Sequence, residues 1–332
     1  MTDRAGLAAV IHQALEPGAA AHQVATAAGV LRSLVERAHH GDAAAEAASQ
    51  HALYELHSRS DPATAATRRW LAAWVYPVLD RYIPGSSLPA TASAAELGAA
   101  ADAMIAARSR VRHPMSIHLF SGAPSAAEIS RFLEHHWLRS CRFYQLVVEF
   151  AQLRDDFADL AVLYDNLFEE TGGGDPSKAH PPLLARLMRH LGLASSFTER
   201  AVMVEEQAYL NNRVRCARHE DPAWGYAVLY AIEAVTSSNH RNIYQMLRRA
   251  GVPEDACEFH RMHGMVDDGH AARMWTSIQR HAASAGFRAT FLRSLEHHFR
   301  LTGPYFDALW HELRQVERTS PPSRPADPPR AG

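Results

Sequence analysis

Cysteine is scarce in this 332-residue chain: Cys141, Cys216 and Cys257 lie far apart, and no CxxC pair occurs. So sparse and odd a set argues against a disulfide framework and fits a reducing compartment. None of the three belongs to a zinc-type cluster. Neither sign of charge is in excess. With 34 Lys+Arg against 36 Asp+Glu the formal net charge is -2, which gives no electrostatic reason to expect a nucleic-acid partner. No uninterrupted apolar run approaches the roughly 18 residues that suggest a membrane span. The opening "MTDRAGLAAVIHQALEPG" lacks the basic segment and apolar run of a secretory signal. A cytoplasmic protein that engages neither membrane nor nucleic acid is the expectation. Strand signals are nearly absent as well, which leaves an all-α chain.

What is abundant is alanine, leucine, arginine and glutamate, with apolar residues recurring at three- and four-residue intervals. Residues 1–110 read as short alanine-rich helices punctuated by "EPG", "SDPAT" and "YIPGSSLPATAS", an accessory helical region without a chemical motif. Residues 111–315 read as the main bundle. A helix from Ser125 to Leu153 opens with Ser125 and Glu128 as a capping box. A second runs through "LAVLYDNLFEE" and stops at the glycines of "TGGGDPSKAHPP". Helices then follow over Pro182–Leu191 and Ser196–His219. A long one is capped by Asp221, has Pro222 at its first position and ends at Gly251. The stretch Glu254–Ala283 and then Phe287–Leu301 precede a final short helix. Long helices with short connections favour a bundle. The proline-rich 316–332 is expected to be disordered.

Histidine is also abundant, at 21 residues, and three fall within "FHRMHGMVDDGHAARMW". On an ideal helix His263, Asp267 and His270 occupy i, i+4 and i+7, within roughly 60 degrees of arc on one face. The face continues toward Phe259, Met274 and Ile278, as for a polar patch set into a core. His260 and Asp268 lie beside the patch. Glu233 sits among Val228, Leu229, Tyr230, Ile232 and Val235, where an ionised carboxylate is costly unless paired or bound to metal. The segment "DNLFEETGGGDPSKAH" brings Glu169 and Glu170 to a helix end and His180 just past a glycine reversal. It is not a phosphate loop, since the GxxxxGK[ST] order is missing. Glu170, His180, Glu233, His263, Asp267 and His270 thus form a coherent set of three carboxylates and three imidazoles. Such a set suits a pair of iron ions built from facing helices; manganese or a single iron fits the same residues.

These segments, "NLFEETGGG" followed by His180, "LYAIEA" with Glu233, and H-x3-D-x2-H from His263 to His270, resemble the haem-oxygenase-like di-iron oxidases and oxygenases. The resemblance covers about residues 110–315 and implies a haem-oxygenase-like helical bundle, here with an additional N-terminal helical region. It implies that the six residues bind a non-haem pair of irons with O2 as cosubstrate, Glu169 being a lesser substitute for Glu170. It further implies an external electron donor and a place in natural-product biosynthesis. N-oxygenation or another oxidation of a small amino-acid-derived metabolite is the leading expectation. Oxidative decarboxylation or desaturation of an aliphatic carboxylate is the alternative, and a non-catalytic iron-binding protein is a third.

Arg213, His240, Arg241, His136 and Arg139 are candidates for contact with a substrate amino acid or amine. For each of them a structural role is also open: Arg213 in an exterior salt bridge, His240 and Arg241 in closing the surface beside the pocket. Trp137, Phe143, Phe150 and Trp275 could line an apolar tunnel or simply pack the core. A homodimer is compatible with a helical enzyme of this size.

Overall fold

Alanine and leucine at helical spacing build helices throughout the computed structural model, which describes residues 4–58, 62–110, 113–195, 202–266 and 268–319. Among the described residues all regular structure is helical. Four helices come first: α1 (Arg4–Ala14), α2 (Ala21–His39), α3 (Ala43–Ser58) and α4 (Ala65–Tyr82). They share their own core around Leu15, Leu31, Leu53, Leu56, Leu71 and Val75. The bundle proper follows as α5 (Ala94–Arg110), α6 (Pro114–Ser121), α7 (Ala126–Ser140), α8 (Phe143–Ala151), α9 (Phe157–Glu170), α10 (His180–His190), α11 (Val204–Ala217), α12 (Pro222–Arg249), α13 (Glu258–Val266), α14 (Asp268–His281) and α15 (Ala285–Thr319). The fold is thus an all-α bundle with an N-terminal helical extension.

The central element is α12, which packs against α11, α13, α14 and α15. Its first turns, Ala223 to Ala231, are buried on every side, as expected of a helix that is apolar all round. Asp221 caps it by accepting from the Ala223 amide at 3.0 Å. Gly225 lets α8 come close, because a Cβ there would meet the Phe150 ring at 2.3 Å. Apolar side chains form one cluster around Leu133, Leu184, Leu187, Met246 and Leu309 and another around Phe150, Tyr226, Ile278 and Phe291.

Three helix boundaries differ from expectation. The Ser125 capping box is present, with Glu128 accepting from the Ser125 amide at 2.8 Å, but the expected single helix breaks at Cys141–Arg142, where Arg142 takes φ -111° and ψ 13°. The break sends Phe132, Leu133 and Trp137 of α7 into one apolar cluster and Phe143, Leu146 and Phe150 of α8 into the other. No glycine or proline marks it. Conversely, Pro304 does not end a helix: α15 passes through it. The missing amide and ring clash cost about 3 kcal/mol, offset by Tyr305, Leu309 and Leu313, all fully buried on the turns that follow. The helix expected over Ser196–His219 begins at Val204 among the described residues; residues 196–201, like the tail from 320 on, lie outside them.

A polar seam joins the N-terminal helices to the bundle. His57 of α3 is buried between the Asn211 amide oxygen and the Tyr76 hydroxyl, each at 2.9 Å. Asp80 of α4 pairs with Arg215 and, at 3.0 Å, with His219. Among the described residues no helix is long and apolar enough to cross a membrane.

Candidate metal centre

Glu170 closes α9 and His180 opens α10, and the chain between them reverses through Gly172, Gly173 and Gly174, with φ of 98°, 62° and 92°. Only glycine fits the first position: a Cβ on Gly172 would lie 2.1 Å from the Asp175 carbonyl oxygen. The reversal returns His180 Nδ1 to within 2.7 Å of Glu170 Oε2, both side chains being buried. His263 of α13 joins them, its ring centre 4.2 Å from that of His180. Glu170, His180 and His263 each offer one ligand atom, all within 4.8 Å of one another. His263 Nδ1 donates to the Phe259 carbonyl at 2.7 Å, which fixes the tautomer and leaves Nε2 with its lone pair.

Glu233 and His270 adjoin this trio. His270 Nδ1 lies 3.5 Å from Glu233 Oε2, and the Asn166 amide donates to Glu233 Oε1 at 2.8 Å. Glu170 and Glu233 line one cavity. Burial chiefly, and then the Glu233 charge, raise the Glu170 carboxyl above its ordinary range. Buried carboxylate and imidazole donors converging within 4.8 Å, with a second carboxylate adjoining, are a donor set that fits a metal. Asp267 lies outside the described residues.

Glu169, a lesser candidate on sequence grounds, turns a different way from Glu170. It accepts from His270 Nε2 at 2.5 Å and from Arg273 at 2.9 Å. Burial would depress His270, but Glu233 and Glu169 override it and lift its pKa to about 9. For His263, burial and the neighbouring His180 act in the other direction, well below the ordinary imidazole value.

The cavity measures about 740 Å³ and is lined by Glu170, Glu233 and His263 together with His136, Arg139, Arg213 and His240. Four of the five candidate contact residues therefore share it. The fifth, Arg241, does not: it is exposed and donates to the Gly264 carbonyl at 3.3 Å. One step past His240 is about 100° around the helix, which carries Arg241 off the cavity face. Nor is Arg213 in an exterior salt bridge. It is buried, donates to the Arg139 carbonyl at 2.7 Å and keeps its Nε, like that of Arg139, without a partner. Burial and then the Arg139 charge weigh against its cation. Trp137 and Phe150 pack in the core and Trp275 against Tyr230, while Phe143 reaches the cavity.

Sequence reasoning passed over Asn166, the partner of Glu233, and left His260 beside the patch without a role; His260 forms with His136 and His240 a second buried group of possible ligand atoms within 4.8 Å. The signal for Asn166 is its helical spacing, one turn before Glu170 on the same face of α9.

Residues 130–301 match the profile of a family described as iron-containing redox enzyme, and residues 4–82 match that of haem-oxygenase-associated N-terminal helices. No curated protein matches the chain. Among solved structures, a CADD-like protein of unknown function from Nostoc punctiforme superposes with a TM-score of 0.56 at 17% identity, covering 66% of this chain and 99% of that one. A domain of unknown function with a haem-oxygenase-like fold from Shewanella denitrificans gives 0.52 at 12% identity, over 70% and 96%. At these identities the likeness is one of fold.

Proposed function

The chain belongs to the family of iron-containing redox enzymes, and on that premise we propose that it is an O2-activating non-haem di-iron oxygenase or oxidase acting on a small, carboxylate-bearing, amino-acid-derived metabolite. The observation that carries this reading is the convergence of Glu170, His180 and His263 within 4.8 Å, beside Glu233 and His270, with Glu170, Glu233 and His263 on the wall of a substrate-sized cavity. Glu170, His180, Glu233, His263 and His270 would hold the irons, together with Asp267. The irons, reduced by an external donor, would supply the redox chemistry toward O2.

The protein's own part is positioning and charge. Glu170 and Glu233 offset the metal charge in a buried setting. The Phe259 carbonyl orients His263, Asn166 orients Glu233, and Glu169 with Arg273 orients His270. Arg139 and Arg213 meet no carboxylate in an ion pair among the described residues, so a substrate carboxylate is their natural partner. Ser116, Asn239, Asn242 and Gln245 add polar lining, which favours an amino-acid-like substrate over a plain acyl chain. A substrate-sized cavity at the candidate ligands also favours this reading over simple iron binding.

Anaerobic Fe(II) titration followed by O2 and a substrate panel, with products read by mass spectrometry, tests the proposal. Oxygen incorporation or oxidation of a small amino acid derivative is expected. Iron uptake with no substrate-accelerated O2 consumption across carboxylates and amines would overturn it.

A further inference from the structure

His136 of α7, His240 of α12 and His260 of α13 come from three different helices and meet in a buried triangle. Their ring centres are 5.4 Å apart for His136–His240, 5.0 Å for His136–His260 and 4.9 Å for His240–His260. Three imidazoles bound to one tetrahedral metal at about 2.0–2.1 Å place their ring centres about 5.2 Å apart and their ligating nitrogens about 3.3 Å apart. His240 Nδ1 and His260 Nδ1 are 3.3 Å apart.

The surroundings differ from those of the carboxylate-bearing centre. Among the described residues no carboxylate forms an ion pair with any of the three. His136 contacts Arg139 and Ser140, both at 3.3 Å. His260 is fully buried and its Nε2 has no hydrogen-bond partner. Burial holds the His260 imidazole neutral, pushing it down to about 3. A neutral imidazole keeps one lone pair, and at His136 a metal competes with the Arg139 guanidinium for it. His136 and His240 line the cavity while His260 lies behind them.

We propose that His136, His240 and His260 form a second metal site, free of carboxylates, for a divalent cation of the zinc or cobalt type, with its fourth position open to the cavity. Three neutral ligands leave the full dipositive charge on the ion, so the site takes a water, hydroxide or anionic substrate oxygen as its fourth ligand. His240 stacks on His263 at 4.5 Å, so the two centres share the cavity. The second site does not depend on the iron reading.

The test is Co(II) titration of the metal-depleted full-length protein, followed by absorption spectroscopy and by metal analysis after desalting. The wild type is expected to develop the intense visible bands of four-coordinate Co(II). His260→Gln and His136→Gln should each abolish those bands and lower the bound metal by about one equivalent per chain. Glu170→Ala should keep the bands and lose metal elsewhere, which separates failure of this site from failure of the iron centre. His260 is fully buried, so the cavity-lining His136→Gln, checked for folding by circular dichroism, serves as the second variant. Four-coordinate bands absent from the folded wild type, or bands and stoichiometry that survive in folded His136→Gln, would overturn the proposal.

Discussion

His270 and His260 are both buried, yet their chemistry diverges. Burial depresses each, but Glu233 and Glu169 carry His270 up to about 9, whereas His260, without a carboxylate, falls to about 3. The same contrast separates the two groups beside the cavity. Glu170, His180 and His263, beside Glu233, offer anionic and neutral donors together; His136, His240 and His260 offer neutral donors alone. Anionic donors stabilise the higher charge states that a redox metal passes through, while neutral donors preserve the charge of a Lewis acid. The neighbours of an imidazole, more than its burial, decide which role it can take.

The comparison breaks most sharply at Glu170. Removing one member of a buried charged group costs about 3–5 kcal/mol, so Glu170→Ala should weaken iron binding roughly 100-fold or more and abolish iron-dependent O2 uptake, as read by metal analysis and an oxygen electrode. Arg213→Gln comes next. Loss of a charge-assisted hydrogen bond is worth about 1.5–3 kcal/mol, so carboxylate affinity by calorimetry should fall roughly 10- to 100-fold while iron content holds.

Gly172→Ala forces a Cβ against the Asp175 carbonyl at φ 98°. A destabilisation of about 1–3 kcal/mol is expected, with weaker iron binding because Glu170 and His180 lose their register; thermal melting and Fe(II) titration read the two effects. His57 extends the contrast to the seam. Burial and then the Arg218 charge push it down to about 3. Above pH 6.5 the imidazole is neutral in both states; below it only the unfolded chain gains the proton. Stability therefore falls with pH from about 6.5 toward 3. For His57 the loss amounts to about 2 kcal/mol at pH 5; urea unfolding at pH 7 and 5 should show it within the larger loss shared with other buried histidines, and His57→Gln should reduce the difference by about that amount. The smallest effect belongs to Arg241→Ala, off the cavity: stability within about 0.5 kcal/mol of wild type and unchanged iron content.

Much of this architecture is legible in local pattern. Period and capping locate α12, whose apolar surroundings expose Glu233 as anomalous, and the glycine reversal after Glu170 points to His180. What escapes is set by packing across helices. The break at Cys141–Arg142 follows from the need to feed two apolar clusters, and the passage of α15 through Pro304 from burial on later turns. Glu169 and Glu170 are adjacent in sequence, yet a 100° step sends one to His270 and the other to His180. His136, His240 and His260 share no local motif, because each comes from a different helix.

The central claim is that carboxylates and imidazoles from α9, α10, α12, α13 and α14 hold a pair of irons on the cavity wall. Mössbauer spectroscopy of protein reconstituted with 57Fe(II) and exposed to O2 tests it most directly. A spin-coupled pair of ferric ions in each chain, lost in Glu170→Ala, is the expected result; a single uncoupled iron, or a signal indifferent to that substitution, would contradict the account.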